Sequence, residues 1–163
     1  MHALTAVVMF GCGKDDGITD PDPKVSIVIL PPLTVNPCDK VEYPILGANM
    51  ANIYGIELYI NYEEDQATFD SLTSSYFDLK TGVSDGVIQI TWVDMNLHPI
   101  TIKDENTILT LYFSDLAGTC EFSFSSLSEI YDAKGDPIDI HDKDGNLINI
   151  EDLNGSVTCN NGE

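Results

Sequence analysis

Arginine is absent. The 163 residues carry 7 basic side chains, all of them lysine, against 27 acidic ones, for a formal net charge of −20. A polyanion without a single guanidinium is repelled by nucleic-acid phosphates and anionic headgroups, so nucleic acid is excluded as a partner. It also lacks the planar fork that grips phosphate or carboxylate substrates. Histidine is scarce: His2, His98 and His141 stand far apart. There is no HExxH, no Cys–His metal spacing and no Gly-x-Ser-x-Gly. Adjacent acids such as Glu63-Glu64 and Asp15-Asp16 are what 27 acids in one chain produce by chance, and do not argue for glycosidase carboxylates. The residues therefore point away from catalysis. No apolar run reaches the ~18–20 residues of a membrane-spanning helix. The 3.6-residue helical period is hard to find anywhere after Lys24.

The period of two takes its place. Apolar residues make up 43% of the chain, with 6 Phe, 7 Tyr and 1 Trp, enough for one globular domain. Val25–Leu30 is a β-rich run closed by Pro31-Pro32. Val41, Tyr43 and Ile45 alternate with Glu42 and Pro44. Ile56, Leu58, Ile60 and Tyr62 alternate with Glu57, Tyr59 and Asn61. Ala67 and Phe69 mark a short strand; Ile88, Ile90 and Trp92 a longer one. Leu109, Leu111 and Phe113 follow, then Phe122 and Phe124, and Val157 ends the set. Turn clusters separate them at Asn36-Pro37-Cys38-Asp39, Thr81-Gly82, Ser84-Asp85-Gly86, Lys103-Asp104-Glu105-Asn106 and Asp142-Lys143-Asp144-Gly145-Asn146. Eight or nine short, half-buried strands predict an all-β sandwich or barrel. No internal repeat stands out.

The start of the chain reads as an address. Residues 3–10 are apolar and Gly11-Cys12 follows, then Lys14-Asp15-Asp16. The apolar stretch resembles the end of a secretory signal. Gly11-Cys12 resembles the lipobox of bacterial lipoproteins, in which the cysteine is acylated and becomes the mature first residue. The acids after it resemble the tag of surface-displayed lipoproteins. Gly17 to Lys24 carries two Pro, two Asp and a Gly, the composition of a solvated tether. The expected organisation is thus a signal-peptide end at 1–11, a lipidated tether at 12–24 with Cys12 as the acylated residue, a β-sandwich at 25–160 and a tail at 161–163. The expected location is the outer membrane or cell surface, as an exported lipoprotein.

Six segments occur in an order that resembles a cohesin domain, the nine-stranded jelly-roll module of cellulosome scaffolds, related in fold to family-3 carbohydrate-binding modules. They are Asn36 to Ile45, Ile53 to Glu63, Gly86 to Asp94, Thr107 to Phe113, Asp132 to Ile138 and Asn154 to Thr158. The resemblance spans residues 25–159. Cys38 stands where the family has Gly, and His141 to Leu153 is extra. The resemblance implies an all-β jelly-roll sandwich of about nine strands, monomeric, acting as a non-catalytic module that docks a dockerin-like protein partner through a flat sheet face. The alternative is a carbohydrate-binding module of the same fold, with polysaccharide as ligand.

Strand parity says which side chains that face would carry. If Ile56, Leu58 and Ile60 point inward, then Glu57, Tyr59 and Asn61 point outward. Gln89, Thr91 and Val93 point the same way from their strand, and so do Glu121 and Ser123. The candidate partner-binding set is Glu57, Tyr59, Asn61, Gln89, Thr91, Glu121 and Ser123. Tyr112 is outward on the opposite sheet. Trp92 has inward parity, which speaks against a sugar-stacking platform.

With Cys12 assigned to lipid, Cys38, Cys120 and Cys159 remain, so one thiol is spare. On the family topology all three lie at one end of the sandwich. Cys120 and Cys159 would then face each other across the sheets, making Cys120–Cys159 the expected bridge and Cys38–Cys120 its rival. Asp142-x-Asp144-Gly145 with Glu151 has part of the pattern of an EF-hand loop. The first ligand position falls on Ile140, which has no side-chain oxygen, and the motif fails as written. A calcium site at Asp142, Asp144 and Glu151 is weighed against a plain type I′ hairpin turn at Asp144-Gly145, and the turn is favoured. The alternative of a looser cation site rests on Asp132, Asp136, Asp139, Asp142 and Asp144, five acids within 13 residues. No other cofactor is expected.

Overall fold

The structure is a computed structural model, and it describes residues 25–26, 28–95, 98–103, 105–142, 144 and 146–160. Cys12, the tether and the tail lie outside the described residues. The strands are β1 (Val25–Ser26), β2 (Val28–Ile29), β3 (Pro32–Val35), β4 (Val41–Gly47), β5 (Met50–Ile53), β6 (Gly55–Tyr62), β7 (Thr68–Thr73) and β8 (Lys80–Ser84). There follow β9 (Val87–Val93), β10 (Ile100–Ile102), β11 (Asn106–Ser114), β12 (Thr119–Phe124), β13 (Glu129–Tyr131), β14 (Ile140–His141) and, after a single 3₁₀ turn at Ile150–Asp152, β15 (Asn154–Cys159). Among the described residues no helix is long and apolar enough to cross a membrane.

Two sheets make the sandwich. One runs β3-β15-β12-β6-β9-β8, with β13 also paired to β6; the other runs β2-β4-β11-β7. The alternation in the sequence is the cause: Ile56, Leu58, Ile60, Ile88, Ile90, Phe122 and Val157 from the first sheet are buried against Tyr43, Ile45, Leu109, Leu111 and Phe113 from the second. Tyr43 stacks on Phe122 with ring centroids 4.3 Å apart, and Phe113 packs on Phe122 at 5.2 Å. The Tyr43 hydroxyl donates to the carbonyl of Pro31 at 2.9 Å, so burial leaves it satisfied. Pro44 sits within β4 because β2 reaches only Gly47 and Leu46, leaving that side of Pro44 unpaired.

Several expectations are corrected. Val25–Leu30 is not one strand: β1 pairs with β14 and β2 with β4. The Pro31-Pro32 closure is passed at once, since Pro32 opens β3, where a missing N–H is tolerated. Thr81-Gly82 is not a turn but the middle of β8, an edge strand exposed along its whole length, which removes the hydropathy signal a strand normally carries. The turn lies at Asp85-Gly86, both with positive φ (51° and 72°), as a two-residue hairpin turn requires.

The disulfide joins Cys38 to Cys159, with Cα atoms 5.4 Å apart, and Cys120 is a buried free thiol. Neither Cys120–Cys159 nor Cys38–Cys120 forms. The expectation placed β12 and β15 across the core from each other, whereas they are neighbours in one sheet, with Cys120 directly opposite Val157. Cys120 therefore points into the core beside the Glu63 carbonyl, 3.8 Å away. Cys159 is carried past the end of that pairing, opposite Val35 of β3, next to the turn that holds Cys38.

The chain also contains a repeat that composition does not reveal. In the hairpin after β13, Asp132 N–H donates to Asp136 O (3.0 Å) and Ile138 N–H to Ile130 O (2.8 Å). Asp132 Oδ1 accepts from the N–H groups of Lys134 (2.8 Å) and Asp136 (3.0 Å). Ten positions on, every bond recurs: Asp142 N–H to Asn146 O (2.8 Å), Ile148 N–H to Ile140 O (2.9 Å), and Asp142 Oδ1 accepting from Asp144 (2.8 Å) and Asn146 (2.9 Å). The extra segment after Ile140 is thus a second copy of the preceding hairpin, with Ile130, Ile140 and Ile150 as equivalent buried anchors. The repeat escapes a first reading because only the turn Asp, the Gly and the isoleucines match. The closing bond from Asp142 to Asn146 also shows a wider loop than the two-residue turn expected at Asp144-Gly145.

Candidate functional site

The outer face of the first sheet gathers the side chains that parity put outward. Cross-strand pairing sets them in rows. Lys80, Thr91, Glu57 and Glu129 form one row across β8, β9, β6 and β13. Gly82, Gln89 and Tyr59 form the next, and Ser84, Val87, Asn61, Ser123 and Asn154 the one after. Glu121 continues along β12, opposite Ser156. Glu57, Tyr59, Asn61, Gln89, Thr91, Glu121 and Ser123 therefore share one contiguous surface.

Tyr59 is held near its middle. Its hydroxyl donates to Glu57 Oε1 at 2.7 Å and accepts from Gln89 Nε2 at 3.2 Å. That bond to a carboxylate raises the phenol's pKa above its ordinary value, with burial and the Glu57 charge adding to it. The backbone beneath is braced where β12 gives way to β13. Buried Ser128 accepts the Tyr59 N–H at 2.9 Å and donates back to its carbonyl at 3.2 Å. A side chain thus replaces a ladder bond on the side where β6 passes from β13 to β12, while on its other side Tyr59 pairs with Gln89 of β9. Asn61 Nδ2 donates to Ser123 Oγ at 3.2 Å. The Glu121 N–H donates to Glu63 Oε2 at 3.1 Å.

Sequence reasoning missed Glu129, Tyr131, Lys80 and Gly82. Glu129 stands opposite Glu57, a like-charge pair that is unfavourable on an open sheet. Each carboxylate takes a tyrosine hydroxyl instead: Tyr131 donates to Glu129 Oε2 at 2.5 Å. This bond, then burial and the two glutamate charges, pushes Tyr131 up to about 12. The Tyr131 ring lies over Gly55, whose absent Cβ leaves it room, and Val93, 57% exposed, pairs with Gly55 on the other side. The signal was present but short: Glu129-Ile130-Tyr131 alternates about one buried residue, three positions being too few to read as a strand. Gly82 leaves a notch of about 450 Å³ beside Tyr59 and Gln89.

The remaining predicted residues fall elsewhere. Tyr112 lies on the second sheet, its hydroxyl 3.3 Å from Thr73 Oγ1. Trp92 turns inward onto Phe77, 4.9 Å between centroids. Asp142, Asp144 and Glu151 are not brought together: among the described residues no group of three His, Cys, Asp or Glu is arranged to hold a metal ion. Asp142 uses both oxygens to close its hairpin, Oδ2 accepting from Asn146 Nδ2 at 2.9 Å.

These features define a jelly-roll sandwich, antiparallel except for the β3–β15 pair, with a polar, acid-bearing face on its first sheet. The fold is that of cohesin domains. The chain superposes on the solution structure of the cohesin CaCohA2 from Clostridium acetobutylicum with a TM-score of 0.70 and 18% identity, over 87% of this chain and 94% of that one. A non-cellulosomal cohesin from the archaeon Archaeoglobus fulgidus gives 0.63 and 15%, over 84% and 91%. A type I cohesin–dockerin complex from Clostridium thermocellum gives 0.64 and 14%, over 84% and 99%. No protein-family model and no curated protein sequence matches the chain.

Proposed function

We propose that this chain is a non-catalytic binding module that docks a dockerin-like protein on the β8-β9-β6-β12 face, and that it is held at the cell surface by acylated Cys12. The observation that supports the docking face is the gathering of Tyr59, its glutamate and glutamine partners, and a polar surround on one open sheet. A polar face with an aromatic near its centre matches the anatomy of a non-obligate interface rather than an enzyme cleft. Its acids favour a basic partner and a salt-sensitive on-rate.

Binding energy concentrates at central aromatic anchors. Tyr59→Ala should therefore weaken the partner by roughly 2 kcal/mol or more, about 30-fold. Tyr112→Ala, on the other sheet, should leave affinity unchanged. Calorimetry on the full chain against purified dockerin modules reads both. Loss of binding in Tyr112→Ala alone would move the site to the second sheet, and binding only on a glycan array would replace the protein partner with polysaccharide. The export half rests on the Gly11-Cys12 motif and on the Cys38–Cys159 bridge, which suits an oxidising compartment. Radiolabelled fatty acid should enter the wild type and not Cys12→Ala; equal labelling would refute the anchor.

A further inference from the structure

The tandem hairpins enclose a groove of about 350 Å³ beside the docking face. Equivalent positions of the two copies line it: Pro137 and Ile138 from the first, Leu147 and Ile148 from the second. Leu147 is 65% exposed, an apolar side chain that the core does not account for. The titratable groups on the lining are all acids, Glu129 and Glu151 among them. Glu129 also belongs to the docking face, where it stands opposite Glu57. The groove is therefore continuous with that face and shares its sign of charge.

We propose that this groove is a second docking site, taking a partner segment in which an apolar side chain is flanked by lysine or arginine. The apolar side chain would lie against Leu147 and Ile138, and its basic neighbours would meet Glu129 and Glu151. Charge complementarity selects the basic flanks, because an acidic or neutral segment would leave the rim carboxylates unpaired. The second hairpin is what makes the groove two-walled, which gives the duplicated segment a use beyond the sandwich. The inference rests on the reading that the chain docks a protein, but its test is separate.

Three synthetic ten-residue peptides serve as probes: one of leucine and lysine, one of serine and lysine, one of leucine and glutamate. Each is titrated into the ¹⁵N-labelled full chain with its disulfide intact. The leucine–lysine peptide should give saturable shifts at the amides of Ile138, Leu147 and Ile148, and the other two should not. Leu147→Ser should weaken it at least tenfold, while Tyr59→Ala changes it less than twofold. Leu147 is exposed, so its replacement leaves folding intact. Deleting residues 141–150, one repeat period, should abolish the remaining shift at Ile138 as well. Equal binding of the serine–lysine peptide would mean charge alone, and would overturn the proposal. Shifts confined to Tyr59 and Gln89, or unchanged affinity in Leu147→Ser, would overturn it too. Loss of dockerin docking in Tyr59→Ala bears on the sheet face only, so the two readings fail separately.

Discussion

At the scale of single residues, the tightest constraint is at Gly155. It pairs with Phe122 in the first sheet, and a Cβ there would collide with the Tyr43 hydroxyl and with Leu30. The Tyr43 ring crosses the core to stack on Phe122, and its hydroxyl reaches Pro31 by passing through the space Gly155 leaves open. The Tyr43 hydroxyl is pinned by its bond to Pro31 and by the stacked ring, and the Leu30 atoms are Cβ and backbone oxygen, so none can yield easily. Gly155→Ala should therefore cost about 1–3 kcal/mol of stability by overpacking, read by urea denaturation. Gly82 is the contrast: nothing lies within 4 Å of a Cβ built there, so a larger residue would alter only the face.

At the scale of elements, the ends of the sandwich are tied by covalent chemistry. The Cys38–Cys159 bridge fastens the β3–β4 turn to the end of β15 and closes a sequence separation of 121 residues. On the chain-entropy account a loop of this size contributes roughly 4–5 kcal/mol. The double variant Cys38→Ser, Cys159→Ser should lose about that much, measured by urea denaturation under non-reducing conditions. Mass mapping should find Cys38 linked to Cys159 and Cys120 alkylated only after unfolding. The hairpins use a cheaper device. Asp132 gathers the N–H groups of Asp136 and Lys134, which holds its carboxyl below the usual aspartate range. That contribution is present above the unfolded pKa and lost as pH falls through the folded one.

At the scale of the whole molecule, alkaline pH is the weak side. Burial, helped by the Glu121 and Cys120 charges, raises the Tyr43 phenol. Tyr131 is pushed from 10.0 up to about 12, chiefly by its bond to Glu129. In the unfolded chain these phenols titrate near 10. Between the two values the folded protein keeps protons that the unfolded chain has released, so unfolding becomes easier as pH rises. For Tyr131 the contribution is intact below pH 10 and gone above about 12, while that of the more strongly raised Tyr43 persists beyond it. Thermal midpoints should fall steadily across that window, with tyrosinate absorbance lagging free tyrosine. In Glu129→Gln the Tyr131 step should move toward 10. A flat thermal profile across the window would contradict the phenol assignments.

The sequence by itself determined the all-β class and the side of the sheet on which Glu57, Tyr59, Asn61, Gln89 and Thr91 stand, because a period of two is a local property and each strand carries its own parity. Tertiary structure alone decided which strands are neighbours. That choice moved the bridge to Cys38–Cys159, since parity says which way Cys120 points but not that β15 lies beside it. It added Glu129 and Tyr131 to the face through a strand of three residues. It turned Thr81-Gly82 from an expected turn into edge strand, where exposure on both sides erases the alternation. The duplicated hairpin was decided there as well. Its identity lies in backbone bonds closed by one aspartate oxygen, and those can be made by many side-chain sequences.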